Sequence, residues 1–243
     1  MYTHPGKLFK PQGPASNFHQ RLADLSAESY ENPTQRQDVG QYRYIPEIST
    51  LRTAAFQGPT GAVIAHRGTV PSDTADVRSD GRIALGFLPK QDRLQSAMNV
   101  SQAAAAQLRG PLLHTGHSLG GAVARKTARD RGEHNVTFNR YTGTMLNREN
   151  SAATKACKAG TGGPECHNTT DLYNPGDLAT ARITSDYGRK LGVGTATGGP
   201  LARHAVSQFQ TPQDTGQVGG KKKRKASSDH PQQTLLDLAY KSM

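Results

Sequence analysis

The chain contains no tryptophan, and aromatic residues make up only 6% of its 243 residues. Proteins that bind single-stranded nucleic acids without sequence preference stack the bases on aromatic side chains. The composition therefore gives little support to a function of that kind. Cysteine is also scarce, with only Cys157 and Cys166 present. Their spacing would allow them to close a small loop, but in a reducing compartment we expect them to be free thiols.

No apolar run approaches the length needed to span a bilayer, and the first residues lack the apolar segment of a signal peptide. We therefore predict a soluble protein that no signal peptide directs to secretion and that resides in the cytoplasm or the nucleus. Histidines and cysteines do not cluster with metal-ligand spacing, so we expect neither a metal ion nor another cofactor. Hydrophobic residues make up 34% of the chain, which is low but sufficient for one buried sheet.

Negative charge is also in short supply, since 19 Asp and Glu stand against 30 Lys and Arg and leave a formal net charge of +11. Part of the excess lies in a basic cluster near the C-terminus, formed by Lys221, Lys222, Lys223, Arg224 and Lys225. Such a cluster is typical of nuclear import signals and of segments that bind phosphate-rich partners, but an ordinary solvated charge run has the same composition. A nuclear import receptor and an anionic membrane surface are therefore candidate partners, and binding to nucleic acid is left open.

The most informative segment that is present reads Thr-Gly-His-Ser-Leu-Gly-Gly-Ala at positions 115–122 and contains the pattern G-x-S-x-G. This pattern is typical of a nucleophile elbow, a sharp turn that exposes a serine between a strand and a helix. Gly116 and Gly120 lie two residues before and after Ser118, where a Cβ atom would crowd the turn. The context agrees, because an apolar strand is predicted directly before the pattern and a helix directly after it.

A second segment lies upstream, where an apolar strand over 61–66 ends in Arg67-Gly68-Thr69. This strand end, followed by an Asp-containing loop and then by the serine pattern, resembles the class 3 (fungal-type) lipases of the α/β-hydrolase superfamily over about residues 20–210. The resemblance implies that the backbone N–H groups of Thr69 and Leu119 stabilise a tetrahedral oxyanion. It also implies a fatty-acyl lipid or a phospholipid as the substrate.

A nucleophilic serine needs a histidine to take its proton and a carboxylate to orient that histidine. In this fold the acid follows the serine and precedes the histidine along the chain. We prefer Asp177 as the acid, because a predicted strand over 169–173 and an Asn-Pro-Gly turn would bring it to the carboxyl edge of the sheet. Four other acids are disfavoured because they lie too close to the serine or in a polar loop without a preceding strand: Asp130, Glu133, Glu149 and Glu165.

The resembled lipases often carry a proline directly after this acid, whereas Leu178 follows Asp177 here. Asp171 and Asp186 therefore stay open as alternative acids.

The preferred base is His204, which follows a Gly-rich loop and resembles the late histidine of the lipase family. The other histidine after the acid, His230, lies in a charged tail that has little means of holding an imidazole still. His117 neighbours the nucleophile but is expected to point away from it and to pack, and His114 is expected to be a core histidine.

The chain as a whole predicts one α/β-hydrolase domain over 17–212, preceded by an irregular N-terminal arm over 1–16 and followed by a basic, largely disordered tail over 213–243. Helices are predicted over 17–30, with Asn17 as the N-cap, over 92–109 and over 119–131. Strands are predicted over 111–117 and 135–141, and segments 50–57 and 61–66 form a hairpin. This alternation predicts a mostly parallel central sheet with helices on both faces.

The loop over 70–90 occupies the place of the lid in the resembled lipases, but only its segment 83–89 is apolar. A lid that opens onto an oil surface needs a larger apolar face. We therefore predict little interfacial activation and a preference for soluble or micellar esters over triglyceride droplets.

These features predict a serine esterase that hydrolyses carboxylic esters of lipids through Ser118, His204 and Asp177 and an acyl-enzyme. The alternative is a basic binding protein, targeted to nucleic acid or to the nucleus, on an inactive hydrolase scaffold.

Overall fold

The computed structural model describes residues 15–69, 91–141, 144–174, 177, 187–192 and 204–210. Within these ranges four α-helices are present: α1 (Ala15–Glu28), α2 (Gln91–Gln107), α3 (Leu119–Arg131) and α4 (Thr144–Lys158). One sheet contains the strands β1 (Arg43–Tyr44), β2 (Thr53–Gln57), β3 (Ala62–His66), β4 (Leu112–His117), β5 (His134–Phe138), β6 (Thr169–Tyr173) and β7 (Arg189–Gly192). Short 3-10 helices cover Pro46–Ile48, Pro164–Cys166 and Val206–Gln208.

The strands lie side by side in the same order as in the sequence. β1 to β3 pair antiparallel, and each later pair from β3 to β7 is parallel. Parallel neighbours need a crossover connection, and α2, α3 and α4 lie in the connections between β3 and β6. Because the strands from β3 onward run in the same direction, their carboxyl ends meet at one edge of the sheet, where ligands bind in open α/β folds.

Helices cover both faces of this sheet. α1 packs on one face, where Leu22, Phe56 and Val63 belong to one buried cluster. α2 packs on the other face, where Val100 shares a second buried cluster with Ile64, and α3 packs beside α2. Adjacent strand residues point to opposite faces, which is why Val63 and Ile64 belong to different clusters. The prediction of an α/β fold with a mostly parallel sheet and helices on both faces is confirmed.

Several boundaries differ from the prediction. α1 begins at Ala15, two residues before the predicted N-cap Asn17, so the helix includes two residues assigned to the N-terminal arm. α4 was not predicted, and Glu149, expected in a polar loop, lies within it. The alanine- and lysine-containing sequence of α4 has good helix propensity. It has few large apolar residues, however, and its largely polar composition is also typical of a loop.

Cys157 and Cys166 form a disulfide, so the prediction of free thiols is wrong. Cys157 lies near the end of α4, and Gly160, at a φ of +72°, lies in the turn that follows. The 3-10 helix Pro164–Cys166 then brings the two Cα atoms to 5.4 Å, a separation that suits a disulfide. Spacing in the sequence could not decide this, because it depends on how the intervening turn folds.

Some predictions concern residues outside the described ranges. These are most of the N-terminal arm, the loop over 70–90, Asp186, His230, and the tail with the basic cluster over 221–225. As for membrane segments, none of the helices in the described part of the chain combines the length and the apolar character needed to span a bilayer.

Candidate active site

Ser118 lies in a tight turn between β4 and α3, at the carboxyl edge of the sheet. Its backbone has a φ of 55° and a ψ of −125°, a strained conformation for a residue other than glycine. A Cβ atom at Gly116 would lie 2.5 Å from the main chain of Gly120, and one at Gly120 would lie 2.0 Å from the carbonyl oxygen of His66. The close approach of the main chain on both sides therefore requires glycine at the two flanking positions.

The imidazole of His204 lies beside Ser118, although the two residues are 86 positions apart in the sequence. The Ser118 Oγ atom is 2.8 Å from His204 Nε2. His204 is buried, with 4% of its surface exposed, whereas Ser118 is only half-buried. The structure thus combines an enclosed imidazole with a hydroxyl that remains partly accessible to solvent.

The carboxylate of Asp177 contacts the other ring nitrogen of the same histidine. Asp177 Oδ2 lies 2.6 Å from His204 Nδ1, and both side chains are buried. The N–H of Asp177 donates over 3.0 Å to the carbonyl oxygen of Asn174, the residue directly after β6. Because a carboxylate only accepts hydrogen bonds, Nδ1 carries the proton and the neutral imidazole can accept the Ser118 hydroxyl through Nε2.

Asp171, one of the alternative acids, lies within β6 and is surrounded by positive charge. Its oxygens are 2.7 Å from Arg125 Nη1, 3.1 Å from Arg140 Nε and 2.9 Å from Lys190 Nζ. Thr137 Oγ1 also donates to it over 2.5 Å. Burial alone would raise the pKa of Asp171, but the charges of Arg140, Arg125 and Lys190 outweigh burial and hold the pKa well below its usual value. This carboxylate therefore belongs to an ion network that joins α3, β6 and β7.

Three acids that the sequence analysis disfavoured as partners of the histidine have other surroundings in the structure. Glu133 pairs with His114, and Asp130 pairs with Lys126 at the protein surface. Glu165 lies in the 3-10 helix Pro164–Cys166.

His114 is part of a buried polar chain on the face of the sheet that α2 covers. Its Nδ1 is 3.0 Å from His66 Nε2, and its Nε2 is 2.6 Å from Glu133 Oε2. Burial, together with the nearby His114 and Arg93, lowers the pKa of His66 well below its ordinary value. His66 is therefore neutral near pH 7, and His114 lies in the core as expected.

The predicted oxyanion donors lie at the same sheet edge as the serine. Thr69 follows the end of β3, the parallel neighbour of β4, and is half-buried. Leu119 is the first residue of α3, directly after Ser118. The segment before Thr69 is tied to α2, because the guanidinium of Arg93 donates to the carbonyl oxygen of Arg67.

Two further residues contact His204, and the sequence did not predict either contact. His117 Nε2 lies 2.6 Å from the carbonyl oxygen of His204, and Asn139 Nδ2 donates to the same oxygen over 3.1 Å. The prediction that His117 has a packing role is therefore incomplete. Its position inside the serine pattern was a signal that it could contact the site. Asn139 gave no signal, because its contact depends on an unusual positive φ of 41° just after β5.

A metal ion would need several ligand atoms close together. Among the described residues, Cys157, Glu165 and Cys166 approach one another closely enough. The two sulfur atoms are joined in a disulfide, however, and cannot act as thiolate ligands. This group therefore does not form a metal site in the oxidised protein.

Comparison with known families identifies the type of protein that shares this architecture. A family model described as "Phospholipase-like: Tle-like phospholipase domain" matches residues 16–222. The match supports a lipase or phospholipase type of family but is not specific to the class 3 lipases. No curated protein matches the chain.

Proposed function

Since this chain belongs to the Tle-like phospholipase domain family, we propose that it is a serine esterase that hydrolyses carboxylic esters of phospholipids. In this proposal Ser118 is the nucleophile, His204 is the general base and acid, and Asp177 orients His204. The observation that carries it is the continuous hydrogen-bond chain from Asp177 through His204 to Ser118. That chain lies at the carboxyl edge of the sheet.

In the first step the Ser118 Oγ atom attacks the ester carbonyl carbon while its proton passes to His204 Nε2. A free serine hydroxyl is a weak nucleophile near neutral pH, and the 2.8 Å contact with Nε2 provides the base that activates it. The imidazolium that forms is stabilised by the Asp177 carboxylate, which lies 2.6 Å from Nδ1.

The tetrahedral intermediate carries a negative oxygen that needs hydrogen-bond donors. We assign this role to the backbone N–H groups of Thr69 and Leu119, which belong to segments on either side of the serine turn. Backbone donors are fixed by the fold, so they need little reorganisation as the charge develops. The Arg67-Gly68-Thr69 segment and the serine pattern support a closer relationship to class 3 lipases within the wider lipase type.

Collapse of this intermediate breaks the bond to the alcohol part of the lipid, and His204 gives its proton to the departing oxygen. The acyl group then remains on Ser118 as an ester. Water, deprotonated by the same imidazole, then attacks the acyl carbon. When this second tetrahedral intermediate collapses, His204 returns the proton to Ser118 Oγ, which releases the fatty acid and restores the serine.

The alternative, a nucleic-acid- or nucleus-targeted binding protein, depends on the basic cluster over 221–225. Those residues lie outside the described ranges, and no observation among the described residues favours that function. Hydrolysis of lipid esters is therefore the function that the described site supports best.

The proposal is tested by comparing wild type with Ser118→Ala on phospholipid vesicles and on nitrophenyl esters, together with labelling by a serine-reactive phosphonate. We expect wild type to release fatty acid and to bind one phosphonate at Ser118. Loss of the nucleophile should lower kcat by about 10⁴-fold or more and abolish labelling.

Ser151→Ala is the matched control, because Ser151 is an exposed serine on α4. It should retain both hydrolysis and labelling. If Ser118→Ala keeps more than about a tenth of the wild-type rate, or if the phosphonate modifies another serine, the assignment of the nucleophile is wrong.

A further inference from the structure

His117 precedes the proposed nucleophile, and both nitrogen atoms of its fully buried ring have hydrogen-bond partners. Nε2 lies 2.6 Å from the carbonyl oxygen of His204, and Nδ1 lies 3.0 Å from the hydroxyl of Tyr30. The His117 and His204 rings are neighbours, with their centroids 4.9 Å apart. His117 therefore contacts the main chain of the histidine that the proposed reaction uses as its base.

These partners determine which nitrogen of His117 carries the proton. A carbonyl oxygen only accepts hydrogen bonds, so Nε2 must be the donor. In the neutral ring Nδ1 is then an acceptor, and Tyr30 donates its hydroxyl proton to it. Tyr30 follows α1 and lies against Gly68, where a Cβ atom would be only 2.1 Å from its hydroxyl oxygen. The tyrosine is thus held in place by the same segment that leads to Thr69.

The carbonyl oxygen of His204 receives a second hydrogen bond from Asn139 Nδ2, over 3.1 Å. The side-chain oxygen of Asn139 in turn accepts the N–H of Asn174 over 2.8 Å. Asn139 follows β5 and Asn174 follows β6, so both are attached to the ends of central strands. The two donors to the His204 main chain therefore lie at the ends of central strands, because His117 is the last residue of β4 and Asn139 follows β5.

His204 itself lies outside the sheet, just before the 3-10 helix Val206–Gln208. The distance between its Nε2 atom and Ser118 Oγ therefore depends on how its main chain is held. A displacement of about 1 Å between reacting groups can reduce a rate by about 100-fold.

We propose that His117 and Asn139 are positioning residues that hold the main chain of His204, and that Tyr30 keeps His117 in the tautomer that donates to it. This inference rests on the proposed function, because it assigns His204 as the base. The described contacts form a path from Tyr30 through His117 to the main chain of His204. Asp177 orients the ring of His204, whereas His117 holds its backbone.

The test compares His117→Leu, His117→Gln and Tyr30→Phe with wild type in phospholipid hydrolysis and in the rate of phosphonate labelling. The leucine variant loses the donor to His204, so kcat should fall by between about 10- and 100-fold while KM changes by less than about threefold. The glutamine variant can present an amide N–H close to the position of Nε2, and it should recover most of the lost rate.

Tyr30→Phe separates tautomer control from simple packing, because it removes only the hydroxyl. It should lower kcat in the presence of His117. In the His117→Gln background it should have little further effect, because an amide has no tautomer to be selected. His167→Leu, at an exposed histidine, is the matched control and should leave kcat unchanged.

Circular dichroism and thermal unfolding identify any variant that does not fold. If the leucine variant fails to fold, Tyr30→Phe and His117→Gln still decide the question. Equal kcat values for wild type and Tyr30→Phe, or an equal effect of Tyr30→Phe in both backgrounds, would overturn the inference. A wild-type protein that neither hydrolyses esters nor labels at Ser118 would instead overturn the proposed function.

Discussion

Two buried aspartates close together in the sequence show how the surroundings of a residue determine its chemistry. Asp171 lies within β6 and interacts with two arginines and a lysine, and its pKa is held well below its usual value against the effect of burial. Asp177 lies after β6 and contacts the imidazole of His204. A carboxylate bound by several cations stabilises the fold, whereas one that contacts a ring nitrogen of an imidazole can fix the tautomer of that imidazole.

We predict that Asp177→Asn lowers kcat by about 10⁴-fold with little loss of stability, because an amide would favour the wrong tautomer of His204.

Asp171→Asn should instead lower the stability of the protein and leave its activity largely unchanged. It leaves the buried arginines without a full counter-charge, so the free energy of unfolding should fall by about 3 to 5 kcal/mol. The folded fraction should keep most of its activity. Ester hydrolysis and urea denaturation of both variants measure the two effects, and a rate within about threefold of wild type for Asp177→Asn would contradict the acid assignment.

At the scale of elements, the serine turn joins β4 to α3 so closely that a side chain cannot be added at its flanks. Three main-chain segments meet there: the end of β3, the turn itself and the first residues of α3. The strained backbone at Ser118 is maintained by this packing and by the hydrogen bond from its N–H to the carbonyl oxygen of Phe138, which measures 3.0 Å. The geometry of the site is therefore a property of the contact between elements.

We predict that Gly120→Ala destabilises the protein by about 3 kcal/mol or more, because overpacking against main-chain atoms cannot be relieved by rotating a side chain. The new Cβ atom would lie 2.0 Å from the carbonyl oxygen of His66. Gly132→Asn is the control: Gly132 ends α3 at a φ of +68° with nothing within 4 Å of a Cβ atom, and asparagine tolerates this conformation. Thermal unfolding should show a clear decrease for Gly120→Ala alone, and similar midpoints for both variants would show that the turn can relax.

Across the protein, three buried or half-buried ionisable groups make stability depend on pH. Burial would raise the pKa of Glu133, but His114 and Arg131 outweigh burial and lower it. The pKa of Asp171 is held well below its usual value, and burial holds the pKa of His66 well below its usual value. Each of the three groups therefore binds a proton more readily in the unfolded chain than in the folded protein.

The free energy of unfolding should consequently fall as the pH falls. The contribution of His66 should be lost first, below about pH 6.5, where the unfolded histidine becomes protonated. The carboxylates stabilise the fold above their unfolded pKa values of about 4, and this stability should be lost as the pH drops through that range towards their folded values. Urea denaturation at pH 7, 5.5 and 4 measures the effect. A constant free energy of unfolding across these three values would show that the surroundings described for these groups are wrong.

The sequence predicted the elements whose patterns are local. β4, α3 and β6 carry apolar runs or turn signals within a few residues, and they appear close to the predicted bounds. The two-residue strand β1 and the four-residue strand β7 are too short for such patterns. They form because a neighbouring strand offers them backbone partners. The Cys157–Cys166 disulfide likewise required a turn that spacing alone does not specify.

The serine turn could be predicted from the amino-acid sequence alone, because the serine, its flanking glycines and the following helix are specified within one short segment. The acid that contacts the histidine, by contrast, is known from the folded structure, since Asp177 and His204 are 27 positions apart and Asp171 also lies between the serine and the histidine in the sequence. The contacts of His117 and Asn139 with the main chain of His204 also emerge only on folding. Hydrogen bonds between distant segments depend on where the sheet places them, and a local pattern does not contain that information.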